Sequence, residues 1–245
     1  MNAINQGLSG PDAADLAAAS LAMARRFVSG GTLWCAVPTR PSEAPQLATE
    51  LARPVVAGGR ALPAATVPGD HLLEGLRTHA RAGDMLLVVA RSSEPSSADL
   101  RQWAAAWGLL TIWVGAGPRP PPGAADYVLW TDGDEASRSG DARFLSLCRQ
   151  LREMTLARLG SPELLESARG GCDDEVCITC SDEGRIGEVV SVRSDGQARV
   201  RTPSGFETVD TSLVDDARAG DLVLIHAGAA VSLVLSESRE PEEAP

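Results

Sequence analysis

Over its first 160 residues the chain alternates short, continuously apolar runs with longer segments of helical period. Thr32-Leu33-Trp34-Cys35-Ala36-Val37, Met85-Leu86-Leu87-Val88-Val89-Ala90 and Leu109-Leu110-Thr111-Ile112-Trp113-Val114 are apolar on both sides of a strand, and residues 125–130 form a weaker fourth run. Strands without a polar side belong to a parallel sheet covered on both faces. Helices are predicted from Pro11 to the stop at Gly30-Gly31, over 70–82 before Gly83, and from Ser96 or Ser97 to Trp107. A last, amphipathic helix places Phe144, Leu147, Cys148 and Leu151 on one face. The predicted class is α/β, a three-layer parallel-sheet domain. Ligands of such sheets bind outside the carboxyl ends of the strands, which makes 38–44, 91–97 and 115–123 the candidate loops.

After Gly170-Gly171 the period changes. Short strands are predicted over 185–192, 198–202, 206–209, 221–226 and 230–235, separated by turns such as Ser194-Asp195-Gly196-Gln197 and Pro203-Ser204-Gly205. That spacing predicts a small all-β, OB-like barrel. The expected division is an α/β domain at 1–160, a linker at 161–171, the barrel domain at 172–236 and a disordered acidic tail at 237–245.

Composition narrows the function classes. With 245 residues, 44% of them apolar, the chain can bury an ordinary core. Its formal charge of −11 excludes a phosphate-backbone ligand, which needs clustered cations, so no nucleic-acid partner is expected. No apolar run approaches the roughly 20 residues that span a bilayer, and Met1-Asn2-Ala3-Ile4 does not open a signal peptide. A soluble, cytoplasmic protein with no membrane partner is expected.

Five cysteines, an odd number in such a compartment, argue against a disulfide framework. Cys172, Cys177 and Cys180 cluster within Cys172-Asp173-Asp174-Glu175-Val176-Cys177-Ile178-Thr179-Cys180. The CxxC spacing lets two thiolates meet one soft metal or each other. Zinc wants four ligands and no second CxxC follows, but His226 at the end of an apolar strand adds an imidazole to the candidate set. Ordinary reduced thiols are the bland alternative. Cys35 and Cys148 read as core residues, Trp103, Trp107, Trp113 and Trp130 as core or interface aromatics, and His71 and His79 as surface or boundary residues.

Three stretches of the C-terminal region resemble the HypC/HupF family of nickel–iron (NiFe) hydrogenase maturation chaperones. They are Gly184-Arg185-Ile186-Gly187-Glu188-Val189-Val190, Val209-Asp210-Thr211-Ser212-Leu213-Val214-Asp215, and Ala219-Gly220-Asp221-Leu222-Val223-Leu224-Ile225-His226-Ala227-Gly228. The resemblance implies a chaperone that holds an iron fragment, Fe(CN)2CO, on a cysteine and a histidine. It also implies two protein partners, a HypD-like scaffold and the hydrogenase large subunit. His226 matches the family's histidine. The family's cysteine follows its initiator methionine, whereas the counterpart here is internal. Counting back from Gly184 favours Cys180, with Cys177 next and Cys172 as a further ligand, and zinc is the alternative metal.

Residues 10–160 resemble the sugar isomerase (SIS) fold, particularly the phosphoheptose isomerases, through the leading helix into Gly30-Gly31-Thr32-Leu33-Trp34 and the block Gly83-Asp84-Met85 to Ser92-Ser93. The resemblance implies a phosphate loop after the second matching strand, for which Ser92, Ser93 and Ser96 are the vestigial candidates, and a homo-oligomer formed through this domain. The first loop, Pro38-Thr39-Arg40-Pro41-Ser42-Glu43, has no glycine, two prolines that remove N–H donors, and an acid that repels phosphate. The domain is therefore expected to be non-catalytic and the chain not to be an enzyme. Two alternatives stand beside the chaperone: a sugar-phosphate-binding isomerase or sensor with an accessory barrel, and a CxxC zinc or thiol-redox module.

Overall fold

A computed structural model describes residues 10–53, 61–67, 71–89, 96–116, 119–120, 123–131, 138–161, 163, 165 and 184–235. They form two compact units, Met1–Ser97 with Leu110–Gly171, and Ala98–Leu109 with Cys172–Pro245.

The first unit is a parallel sheet. Its strands are β1 (Leu33–Ala36), β2 (Ala64–Thr66), β3 (Met85–Val89), β4 (Leu110–Ala116) and β5 (Tyr127–Thr131), in the order β2-β1-β3-β4-β5. The expected parallel α/β architecture is present. Its physical basis is visible in the alternation. Leu33, Cys35, Met85, Leu87, Val89, Ile112, Val114 and Leu129 share one core with residues of helices α1 (Gly10–Val28), α2 (Ala44–Ala52) and α5 (Arg138–Leu159). The intervening Leu86, Val88, Trp113 and Trp130 are also buried, so neither face meets water. Helix α3 (Leu72–His79) is shorter than the predicted 70–82.

Two elements escaped the periodicity argument. A one-turn 3-10 helix, Pro41–Glu43, lies inside the predicted loop 38–44, helix α2 follows it where no element was predicted, and β2 is an Ala-Ala-Thr edge strand. Three residues, two of them alanines that are depleted in strands, give no alternation to detect.

Tight backbone approaches fix the amino ends of the strands. A Cβ on Gly31 would lie 2.5 Å from the Gly83 carbonyl oxygen, so only glycine lets the two turns meet. Asp84 accepts hydrogen bonds from Thr32 N at 2.8 Å, Trp34 Nε1 at 2.9 Å and Arg81 N at 2.9 Å, tying β1 to β3. Asp126 does the same for β4, accepting from Thr111 N and Oγ1 at 2.7 Å.

Cys35 and Cys148 are buried core thiols, as expected. Burial pushes the Cys148 thiol up to about 12, and burial followed by the neighbouring Cys148 pushes Cys35 further in the same direction. Once pH rises through about 9, the usual thiol value, the unfolded chain releases protons that the native state keeps. Stability from these two groups is therefore intact at neutral pH and falls above pH 9, by up to about 1.4 kcal/mol per pH unit per thiol. Urea titrations at pH 8 and pH 10 should show this loss, and Cys148→Ala should reduce its slope. A flat profile would contradict the burial.

The second unit combines most of helix α4 (Ser96–Ala106) with a closed barrel of β6 (Arg185–Val192), β7 (Gln197–Thr202), β8 (Gly205–Asp210), β9 (Leu222–His226) and β10 (Ala229–Leu235). The strand order is β10-β8-β7-β6-β9, with β10 closing onto β9. All pairings are antiparallel except β10 with β8. Val189, Ala198, Val200, Val209, Val223, Ile225 and Ala230 fill the interior. Every one of the predicted barrel strands is present.

Candidate functional site

Strand β9 alternates between the barrel interior, which takes Val223 and Ile225, and the outer surface, which takes Leu222, Leu224 and His226. His226 ends the strand with an exposed imidazole. The chain reverses there through Ala227 and Gly228, both at positive φ (49° and 81°), the two-residue turn that matches strand twist. Ala229 then pairs back with His226.

The same rim receives the chain entering the barrel. Arg185, the first residue of β6, is in register with Ile225, so the residue before it is abreast of His226. A Cβ on Gly184 would lie 3.0 Å from Leu224 Cδ1, which puts the entering backbone close against the outer face that carries His226. Arg185 holds this entry in place. Its Nε and Nη2 donate to both carboxylate oxygens of Glu207, at 3.0 and 2.6 Å, and these bonds raise the guanidinium pKa.

Cys172, Cys177 and Cys180 lie outside the described residues, as do Ser92 and Ser93. Ser96 is the first residue of α4. Among the described residues, no three His, Cys, Asp or Glu side chains converge on a point that would hold a metal. His71 and His79 are exposed; His79 Nδ1 lies 3.0 Å from the Gly75 carbonyl. No helix of the described residues is long and apolar enough to cross a membrane.

A second cluster lies on another part of the barrel's outer surface. Glu188 is paired in register with Arg201 of β7 on one side and Leu222 of β9 on the other. Trp107, just past α4, donates its indole N–H to Glu188 Oε2 at 2.6 Å, and the Arg201 guanidinium lies 5.2 Å from its ring centre. Trp107, Glu188 and Leu222 are all buried. The sequence reading placed Trp107 in a core or interface but attached no role to Glu188. A lone acid at an outward position of a strand looks solvated unless its cover is known.

Residues 184–242 match the model of the HupF/HypC family. All five barrel strands lie within the matched stretch. The match contains His226 and begins at Gly184, four residues after Cys180. Among solved structures, the chain is similar to a phosphoheptose isomerase from Francisella tularensis, with 16% identity and a TM-score of 0.49 over 59% of this chain and 86% of that one. It is also similar to a phosphoheptose isomerase from Neisseria gonorrhoeae, with 15% identity and a TM-score of 0.42 over 60% and 85%. No curated protein matches. A likeness to phosphoheptose isomerase structures together with a HupF/HypC match at 184–242 is the pair of resemblances expected from the sequence.

One expectation is corrected. The prolines and Glu43 of the first loop led to a non-catalytic domain and a chain that is not an enzyme, but the solved structures it is similar to are isomerases, which are enzymes. A phosphate-repelling loop bears on one ligand class. It gives no ground for excluding catalysis, and the non-enzyme reading is withdrawn.

Proposed function

We propose that this protein is a hydrogenase maturation factor whose HupF/HypC barrel carries an iron fragment, Fe(CN)2CO, as cargo, held by the imidazole of His226 and a cysteine of the preceding segment. The observation that carries the reading is the rim geometry. The chain enters β6 abreast of His226, and Cys180 stands four residues before Gly184. Four residues span at most about 14 Å, so the thiolate is tethered within reach of the imidazole. Cys177 and Cys172 are farther along the tether, and their longer loops cost only slightly more to close. A thiolate with a neutral imidazole suits a borderline-to-soft iron centre carrying strong-field ligands. The partners of this reading are a HypD-like scaffold that supplies the fragment and a hydrogenase large subunit that receives it.

Affinity purification of the tagged full chain from a hydrogenase-producing host tests the partners. The reading predicts that the scaffold or the large-subunit precursor is retained, and that His226→Ala lowers hydrogenase activity at least tenfold while the variant remains folded. Unchanged activity after deletion of the gene, in a strain with no other HupF/HypC protein, would sink it.

A further inference from the structure

In the parallel sheet the chain runs from β1 outward to β2 on one side, then returns to β3 on the other. The switch point lies between β1 and β3, where the loops of an open parallel sheet diverge and leave a crevice. A cavity of about 150 Å³ opens at that place. Val37, directly after β1, and Val89, the last residue of β3, both line it. Topology and cavity thus point independently to one site.

Its chemistry comes from the turn after β1 and from helix α2. Arg40, Glu43, Gln46 and Glu50 line the cavity at spacings of three and four residues, one face of the 3-10 turn and α2. Leu47 and Phe144 complete an apolar wall. Arg40 Nη1 is 3.0 Å from Glu43 Oε1, whereas Glu50 is 3.5 Å from Arg53, which does not line the cavity. The lining thus carries two carboxylates and one guanidinium, with Glu43 paired to Arg40 inside the cavity and Glu50 to Arg53 outside it. A phosphate dianion would face both carboxylates in a loop whose Pro38 and Pro41 offer no N–H.

We propose that this cavity binds a small molecule carrying a primary ammonium group on a short aliphatic body, an alkylamine or an aliphatic amino acid. Glu43 and Glu50 receive the ammonium, and Leu47, Val89 and Phe144 pack the aliphatic chain. Arg40 meets a carboxylate when the ligand has one. A cavity of this size, open on one side, suits on the order of 6–10 non-hydrogen atoms. All of its lining residues belong to the first unit.

Calorimetric titration of the full chain with isopentylamine, L-leucine, inorganic phosphate and fructose 6-phosphate tests the assignment. Binding of at least one ammonium ligand in the millimolar range or tighter is expected. Glu50→Gln and Glu43→Gln should each weaken it about tenfold or more, a loss of roughly 1.4 kcal/mol. Both side chains are partly exposed, 48% for Glu43 and 40% for Glu50, and circular dichroism melts should show the variants folded. Arg40→Gln separates the two sources: loss of leucine binding with amine binding retained identifies an amino acid, and equal binding of both identifies a simple amine. Binding of phosphate or fructose 6-phosphate in preference to either ammonium ligand would overturn the proposal. So would the absence of binding by isopentylamine and leucine at about 10 mM, or binding that both glutamine variants leave unchanged.

Discussion

Replacing Trp107 with alanine is expected to unfold the barrel unit. The side chain is fully buried, its ring lies 5.9 Å from that of Trp103, and its indole N–H meets Glu188 Oε2 at 2.6 Å. Truncating a buried tryptophan costs about 3–5 kcal/mol through lost contacts and the space left behind. Removing a donor from the buried Glu188 carboxylate adds roughly 1–3 kcal/mol. A barrel of some 50 residues has a thin core, with only a few kcal/mol in reserve. The sum exceeds that reserve. Far-ultraviolet circular dichroism during urea titration should show the strand signal lost at or near zero denaturant. Trp107→Phe keeps most of the ring and should cost only the hydrogen-bond share. An alanine variant within 1 kcal/mol of wild type would show that α4 does not hold the barrel.

The second large effect is expected inside the barrel. Gly187 faces the interior, and a Cβ there would lie 2.5 Å from Val200 Cγ1, 2.8 Å from Ile225 Cδ1 and 3.1 Å from Thr202 Cγ2. Three side chains on two neighbouring strands would have to move together. Val200 and Ile225 are fully buried, so neither can swing into solvent. Overpacking of this kind costs about 1–3 kcal/mol for one methyl group and more for a branched side chain. Gly187→Ala should lower the melting temperature of the barrel clearly, and Gly187→Val should prevent its closure. Proteolysis of the full chain reads the difference: cleavage of the valine variant should concentrate between residues 185 and 235. Equal resistance in both variants would mean that the interior is looser than its distances imply.

How much of this was legible beforehand depends on whether a residue's role is set by its own segment. The apolar strands around Cys35, Leu87 and Ile112 announced a doubly covered parallel sheet because both of their faces are apolar. The barrel strands were equally clear, since turns such as Asp195-Gly196 punctuate them. Helix α2 was not anticipated; Pro45 sits in its first turn, where proline is well tolerated. Edge strand β2 is too short to show any period. At the candidate site, His226 was singled out by the family resemblance. Its nearness to the start of β6 depends on barrel register, which a linear reading does not contain. The Trp107–Glu188 contact joins residues 81 positions apart, and nothing in either segment signals it.

The most direct test of the maturation reading is infrared spectroscopy with metal analysis on the full chain, purified without oxygen after co-expression with a HypD-like scaffold. Cyanide and carbonyl stretching bands together with iron are predicted for the wild type. His226→Ala should abolish them and Cys180→Ala should strongly reduce them, with the barrel's circular dichroism unchanged. Stoichiometric zinc without diatomic bands, unaffected by His226→Ala, would contradict the account.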